Sequence, residues 1–319
     1  MDTPVLAQVT RSGVVESLHS GSLVLLDADG SVTIAAGDVT SPVYPRSSLK
    51  PMQAVAALES GADLAGPLLA LAAASHAAEP FHVAGVREIL GRAGLPVDAL
   101  GCPPDVPLDP AVHAAALRAN DPTDPRLWMN CSGKHAGMLL ACVASGWPTD
   151  TYLDPAHPLQ RRAVAEVADA TGEPVTHLGV DGCGAPAATV SLTGLARAFA
   201  AFVRADADSP RGRVAAAMRA HPEYVSGTRR PDTWLMQGLP GALAKGGAEG
   251  VLALALPDGR ALALKIADGT QRAVWPVAVG ALRAAGVETE VFARLADAPM
   301  LGGGRPVGAV EARPLPATP

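Results

Sequence analysis

Aromatic residues are nearly missing from this chain, with four Phe, four Trp and three Tyr among 319 residues, so Ala, Val and Leu must fill the core. Cysteine is scarce too. Cys102, Cys131, Cys142 and Cys183 are too few for a disulfide scaffold of this size, which fits a reducing cytoplasm with free or metal-bound thiols. Basic residues are outnumbered: 25 Lys and Arg against 31 Asp and Glu give a net charge of −6. With no basic tract, nucleic acid and anionic membrane are excluded as main partners. No apolar run is long enough for a membrane-spanning helix. Met1 to Arg11 lacks the basic start and apolar stretch of a secretion signal.

What is present is a globular composition, 49% hydrophobic and 18% charged. The length suits one large domain or two modest ones. Short strand patterns cover Val5–Val9, Gly13–Leu18 and Leu23–Leu26, and the turn at Asp27–Gly30 returns the chain as a hairpin through Val32–Ala35. Helical periodicity then dominates from Pro51 to about Leu235. It covers Met52–Glu59, Ala65–Ala74, Phe81–Arg92, Pro110–Ala119, His135–Ala144, Pro158–Ala170, Leu192–Val203 and Arg211–Ala220. Strands return at Val251–Leu256 and Ala261–Ile266. Helices at Arg272–Ala284 and Val291–Ala296, a strand at Val307–Val310 and a frayed tail after Arg313 complete the pattern. Strands at both ends with helices between predict an α/β (α+β) chain: one antiparallel sheet made by the two termini, and a central helical lobe. The sheet lobe takes about 1–50 and 240–319, the helical lobe about 51–239. The two form a single domain with a cleft where they meet.

The organising stretch is Arg46-Ser47-Ser48-Leu49-Lys50-Pro51. It reads S-x-x-K between an extended segment and an apolar helix, with Pro51 placing it in the first turn. Ser47 and Lys50 then share a face, about one turn apart. A serine hydroxyl becomes a nucleophile when a base takes its proton, and a lysine can do so only as the free amine. On its own the motif is better read as a helix cap, Ser47 or Ser48, with a solvated Lys50.

Asn130-Cys131-Ser132-Gly133-Lys134-His135 gathers functional side chains before another apolar helix, where Ser132 alone would serve as a cap. Asp181-Gly182-Cys183-Gly184 is a glycine turn around a thiol. If the two stretches converge, Cys131, Lys134 and Cys183 form a soft donor set for Zn2+ with an open position for water. A Cys131–Cys183 disulfide is the rival, disfavoured in a reducing compartment. Ser75-His76 reads either as a cap with an interior histidine or as part of a site. Lys245-Gly246-Gly247-Ala248 stands just before a strand, the place where serine acyl-transfer enzymes put a second lysine. The N–H groups of Ser47 and Ala248 are then the oxyanion donors. Lys265 competes with Lys245 for that role. His221–Gly227 reads as a loop near the cleft.

Together these stretches resemble the serine–lysine, class 3 or Rhizobium-type, L-asparaginases, a family similar to serine β-lactamases and glutaminases in architecture. The resemblance implies a β-lactamase/glutaminase-like fold and hydrolysis of L-asparagine to L-aspartate and ammonia. It makes Ser47 the nucleophile, Lys50 its base, and Ser75 with Lys245 a second serine–lysine pair. It places Cys131, Lys134 and Cys183 on zinc. Asp181 and His135 line the pocket, Asp181 meeting the substrate amino group, and Arg46 orients the carboxylate or lowers the lysine pKa. A small-molecule amide substrate and a homodimer are the expected partners. The chain is short at its C-terminus for the family, which bears on interface contacts and not on the motifs. Two alternatives stay open. One is a glutaminase or β-lactamase-like serine amidohydrolase, the other a zinc-binding amino-acid sensor with an inactive site.

Overall fold

Strand-forming residues from the two ends of the chain meet in one sheet. The computed structural model describes residues 3–315. Its strands are β1 (Val5–Arg11), β2 (Val14–Leu26), β3 (Val32–Ala36), β4 (Leu178–Val180), β5 (Pro186–Ala188), β6 (Leu243–Gly247), β7 (Val251–Ala255), β8 (Ala261–Ile266), β9 (Pro299–Gly302) and β10 (Arg305–Ala312). Eight of them form an antiparallel sheet in the order β6-β7-β8-β2-β1-β10-β9, with β3 also paired to β2. The small hairpin β4–β5 stands apart. The sheet joins N-terminal β1–β3 to C-terminal β6–β10, as the terminal strand patterns predict.

Every residue of β7 is buried, so both faces of the sheet are covered there and no in–out alternation survives. The Leu192–Arg204 helix packs on β2, β7 and β8, and the Val274–Ala284 helix on β1, β8 and β10. The remaining central helices pack on one another beside this sheet. Among them, Lys50–Glu59 lies against Ser132–Ser145 and Pro158–Thr171. Among the described residues, no helix is long and apolar enough to cross a membrane.

Element types follow the sequence patterns closely, and Pro110–Ala119, Ala261–Ile266 and Val291–Ala296 have the expected bounds. Two differences have clear causes. The predicted strands Gly13–Leu18 and Leu23–Leu26 are one strand of 13 residues. The intervening polar step contains Gly21, where an added Cβ would lie 2.4 Å from the Lys265 carbonyl oxygen. That glycine marks close approach of two strands, not a turn. Lys245, expected just before a strand, lies within edge strand β6. The glycines after it hide the strand pattern because β6 touches the turn that carries Ser47: a Cβ on Gly247 would stand 2.3 Å from the Pro45 carbonyl oxygen. The short helices Pro125–Trp128 and Pro222–Val225, the β4–β5 hairpin and β9 carry too little periodicity to be foreseen. The tail expected to fray after Arg313 lies, beyond Leu315, outside the described residues.

Candidate active site

Arg46–Leu49 is one turn of 3-10 helix that runs directly into Lys50–Glu59. Arg46 enters it with φ +54°, a left-handed value unusual outside glycine. Residues three apart eclipse in a 3-10 turn, so Ser47 and Lys50 share a side. Neither Ser47 nor Ser48 caps a helix by its side chain. Ser48 instead turns inward, and its hydroxyl donates to the Lys245 carbonyl at 2.9 Å, pinning the turn to β6. Ser47 is half-buried and opens on a cleft of about 410 Å³ that is also lined by Ser75, Lys245 and Ala248.

Both site lysines are buried. Lys50 is fully enclosed, and its Nζ donates to the Ala74 carbonyl at 2.5 Å and to Ser75 Oγ at 2.9 Å. Paired with Ser47 by spacing, it thus reaches a serine from another element. Lys245 Nζ donates to the Gly246 carbonyl at 2.7 Å. Burial pulls its pKa down to about 7; Asp232 opposes this and Lys50 reinforces it. An amine in that range exchanges a proton near neutrality, which suits general acid–base work. The rival Lys265 sends its Nζ to the Glu249 and Ile266 carbonyls and does not line the cleft.

The two cysteine stretches do converge. Lys134 Nζ donates to Cys183 Sγ at 3.1 Å, and Cys131 and Cys183 share a hydrogen bond. All four cysteines are free thiols, so the disulfide alternative is not realised. The Cys183 hydrogen bond, with Lys50 and Lys134 alongside, holds the Cys131 thiol well below its usual range against the effect of burial. The same hydrogen bond, then burial, pushes Cys183 up. Burial works against charge on Lys134, but the Cys183 and Cys131 sulfurs outweigh it and raise its pKa. Ser132 is not a cap but the first residue of its helix. Its Oγ donates to the Leu127 carbonyl at 3.1 Å and lies 2.8 Å from His76 Nε2. Arg46 is tied to Asp181: Nε donates to Oδ1 at 2.8 Å, with a second nitrogen at 2.7 Å. This links the Ser47 turn to the Cys183 loop. His135 is fully buried, its Nδ1 2.6 Å from Tyr152 Oη, and its Nε2 has no partner among the described residues.

A family profile described as L-asparaginase II matches residues 7–312. The chain belongs to the L-asparaginase II family. Among solved structures, this L-asparaginase II family member is similar to a β-lactamase from Mycobacterium bovis, with 17% identity over 83% of this chain and 94% of that one and a TM-score of 0.47. It is also similar to EstCE1, a hydrolase with promiscuous acyltransferase activity, with 11% identity, 82% and 88% coverage and a TM-score of 0.38. Scores this low carry no assignment. No curated protein matches the sequence.

In this L-asparaginase II family member, no group of three or more His, Cys, Asp or Glu side chains among the described residues is placed to hold a metal ion. A zinc site would therefore rest on Lys134 as third donor beside the two thiols. The two soft sulfurs are donors that zinc prefers, but only Cys131 is favoured as thiolate: Cys183 is pushed up and Lys134 is held as an ammonium donating to it at 3.1 Å, so each must give up a proton before it can ligate. The expected cleft-side stretch His221–Gly227 brings Ser226 to the lining, whereas sequence reasoning missed Arg230, Asp232 and Gln271, which also line the cleft. For Arg230 and Asp232 the cue was Arg229-Arg230-Pro231-Asp232, which reads as an ordinary helix start.

Proposed function

We propose that the protein hydrolyses L-asparagine to L-aspartate and ammonia through an ester intermediate on Ser47. The supporting observation is the meeting of Ser47, Ser75 and Lys245 in one cleft, with Lys245 titrating at about 7 and Lys50 hydrogen-bonded to Ser75. Membership in the L-asparaginase II family supports the choice of amide.

Ser47 Oγ attacks the side-chain amide carbon, and its proton passes to Lys50. The oxyanion accepts hydrogen bonds from the Ser47 and Ala248 N–H groups; each such donor contributes about 3–4 kcal/mol to the transition state. The intermediate collapses, and the departing nitrogen takes a proton from the Lys50–Ser75–Lys245 relay to leave as ammonia. A water gives a proton back to that relay and attacks the ester carbon, which releases aspartate and restores Ser47. Zinc, when bound by Cys131, Lys134 and Cys183, supplies a Lewis acid that orients the substrate. His135 and Asp181 stand next to that set in the chain and line the same pocket, Asp181 meeting the substrate amino group.

Ammonia release from asparagine, with glutamine and a chromogenic β-lactam measured alongside, tests the reading. Asparagine is expected to be the best of the three. Ser47→Ala is expected to lose at least about 10³-fold in kcat, the scale on which loss of an activated nucleophile acts. A Ser47→Ala protein with normal ammonia release would remove the proposal. Metal analysis of the purified protein, with Cys131→Ala as control, tests the zinc set without reference to activity.

A further inference from the structure

One cation of the cleft, Arg230, has no side-chain partner among the described residues. Arg46 is paired with Asp181, Lys134 with Cys183, Lys50 with Ala74 and Ser75, and Lys245 with the Gly246 carbonyl. Arg230 lines the same cleft, half-buried, and makes no ion pair or hydrogen bond through its side chain among the described residues. Its neighbour Arg229, pointing elsewhere, is fully engaged: Nε and a terminal nitrogen donate to Asp109 at 3.0 and 2.8 Å.

The candidate partner for Arg230 in the cleft is already engaged elsewhere through one oxygen. Asp232 is the only carboxylate among the described lining residues. Its Oδ2 already accepts the Gly246 N–H at 2.9 Å and the Ser226 hydroxyl at 3.3 Å. Those bonds hold Asp232 between β6 and Ser226, and no ion pair forms between it and Arg230 among the described residues. A half-buried guanidinium without an anion is a site for one, and its planar donor fork matches a carboxylate. Arg46, the residue expected for this task from the sequence, already has its carboxylate in Asp181.

We infer that Arg230 receives the α-carboxylate of the substrate and so selects amino-acid amides over simple amides. This rests on the amide-hydrolase reading proposed above. In this arrangement the carboxylate is anchored at the start of the Pro231–Gly238 helix while the side-chain amide reaches Ser47. Arg230 contacts the substrate away from the reacting atoms, so it acts on binding more than on turnover.

The test uses the full chain. Calorimetry on the Ser47→Ala protein, with and without Arg230→Gln, gives asparagine affinity without turnover. The added substitution is expected to weaken binding about tenfold to 100-fold, as loss of a charged hydrogen-bonding partner does. In the active protein, Arg230→Gln is expected to raise KM by a similar factor and to leave kcat within about threefold, the signature of lost uniform binding. Arg230→Lys recovers part of the affinity, because it keeps the charge and loses the fork. Unchanged asparagine affinity, or a fall in kcat at constant KM, overturns the role of Arg230 and leaves the asparaginase reading standing. A wild-type protein that releases no ammonia from asparagine, together with a Ser47→Ala protein that does not bind it, overturns both. Should Arg230→Gln fail to fold, the same two criteria are applied to Arg230→Lys.

Discussion

Lys50 and Ser75, 25 residues apart in the chain, are joined by a 2.9 Å hydrogen bond from the lysine Nζ to the serine hydroxyl. A second bond from the same Nζ, to the Ala74 carbonyl, fixes the lysine from the neighbouring residue. The S-x-x-K turn is thereby coupled to the segment after the Gly66–Ala72 helix. Ser75→Ala is expected to lower kcat about 100-fold, within the range for loss of a proton-transfer group. Stability should change by no more than about 1 kcal/mol, because Lys50 keeps its carbonyl partner. Steady-state kinetics and thermal melts check both, and an unaltered kcat would retire the relay.

Lys245 has a consequence for pH. Its pKa of about 7 in the folded protein lies below the usual lysine value, through burial first. The unfolded chain therefore binds the extra proton between about 7 and about 10.4, and stability rises with pH across that window. Lys245→Met removes this contribution, so the variant's advantage in melting temperature should be largest below pH 7 and shrink toward pH 10. For catalysis the sign is the same: the free amine accumulates above about 7, and the wild-type rate should climb through that pH. A flat profile between pH 6 and 8 would argue against Lys245 in the relay.

Gly247 keeps β6 against the Ser47 turn. An alanine Cβ there would stand 2.3 Å from the Pro45 carbonyl oxygen and 3.1 Å from Ser48 Oγ. Backbone must move to admit it, and the Ser48–Lys245 bond is the contact that gives way. Gly247→Ala is expected to destabilise by about 1–3 kcal/mol, as overpacking does. Activity should fall further than stability accounts for. Kinetics at a temperature where the variant is fully folded separate the two.

Asp181 is the fourth test. Its Oδ1 accepts from Arg46 and from the Gly182 N–H at 2.7 Å. Burial works against the carboxylate, yet Lys134 and Arg46 outweigh it and hold Asp181 below its usual range. The stability from this pairing is present above the ordinary carboxylate pKa and is lost as pH falls through the depressed value. Asp181→Asn should cost about 1–3 kcal/mol at pH 7 and progressively less under acid. Urea midpoints at pH 7 and pH 3 measure the difference.

The residues that carry the site differ in how far sequence exposes them. Ser47, Lys50, Cys131 and Lys134 stand in short polar tracts against apolar helices and Cys183 in a glycine turn, so density and spacing mark them. Arg230 and Asp232 stand at a helix start, where arginine, proline and aspartate are ordinary, and nothing local separates them from a cap. Lys245, followed by two glycines at the edge of a strand, is the better candidate by sequence, and Lys265, inside a strand, is its rival. The choice closes only when β6 is seen to meet the Ser47 turn while Lys265 points to the carbonyls of Glu249 and Ile266. Gly21 looked like a break and is a crossing point.

Local pattern alone settled the element types: terminal strands, central helices and the helix whose first turn holds Pro51. Those features depend on interactions between residues a few positions apart, which the order of amino acids contains. Which lysine is desolvated, which arginine keeps its charge unpaired and which serine Lys50 touches were decided by tertiary structure. Burial and pairing are set by groups 25 to 200 positions away, brought together only when the sheet closes on the helices.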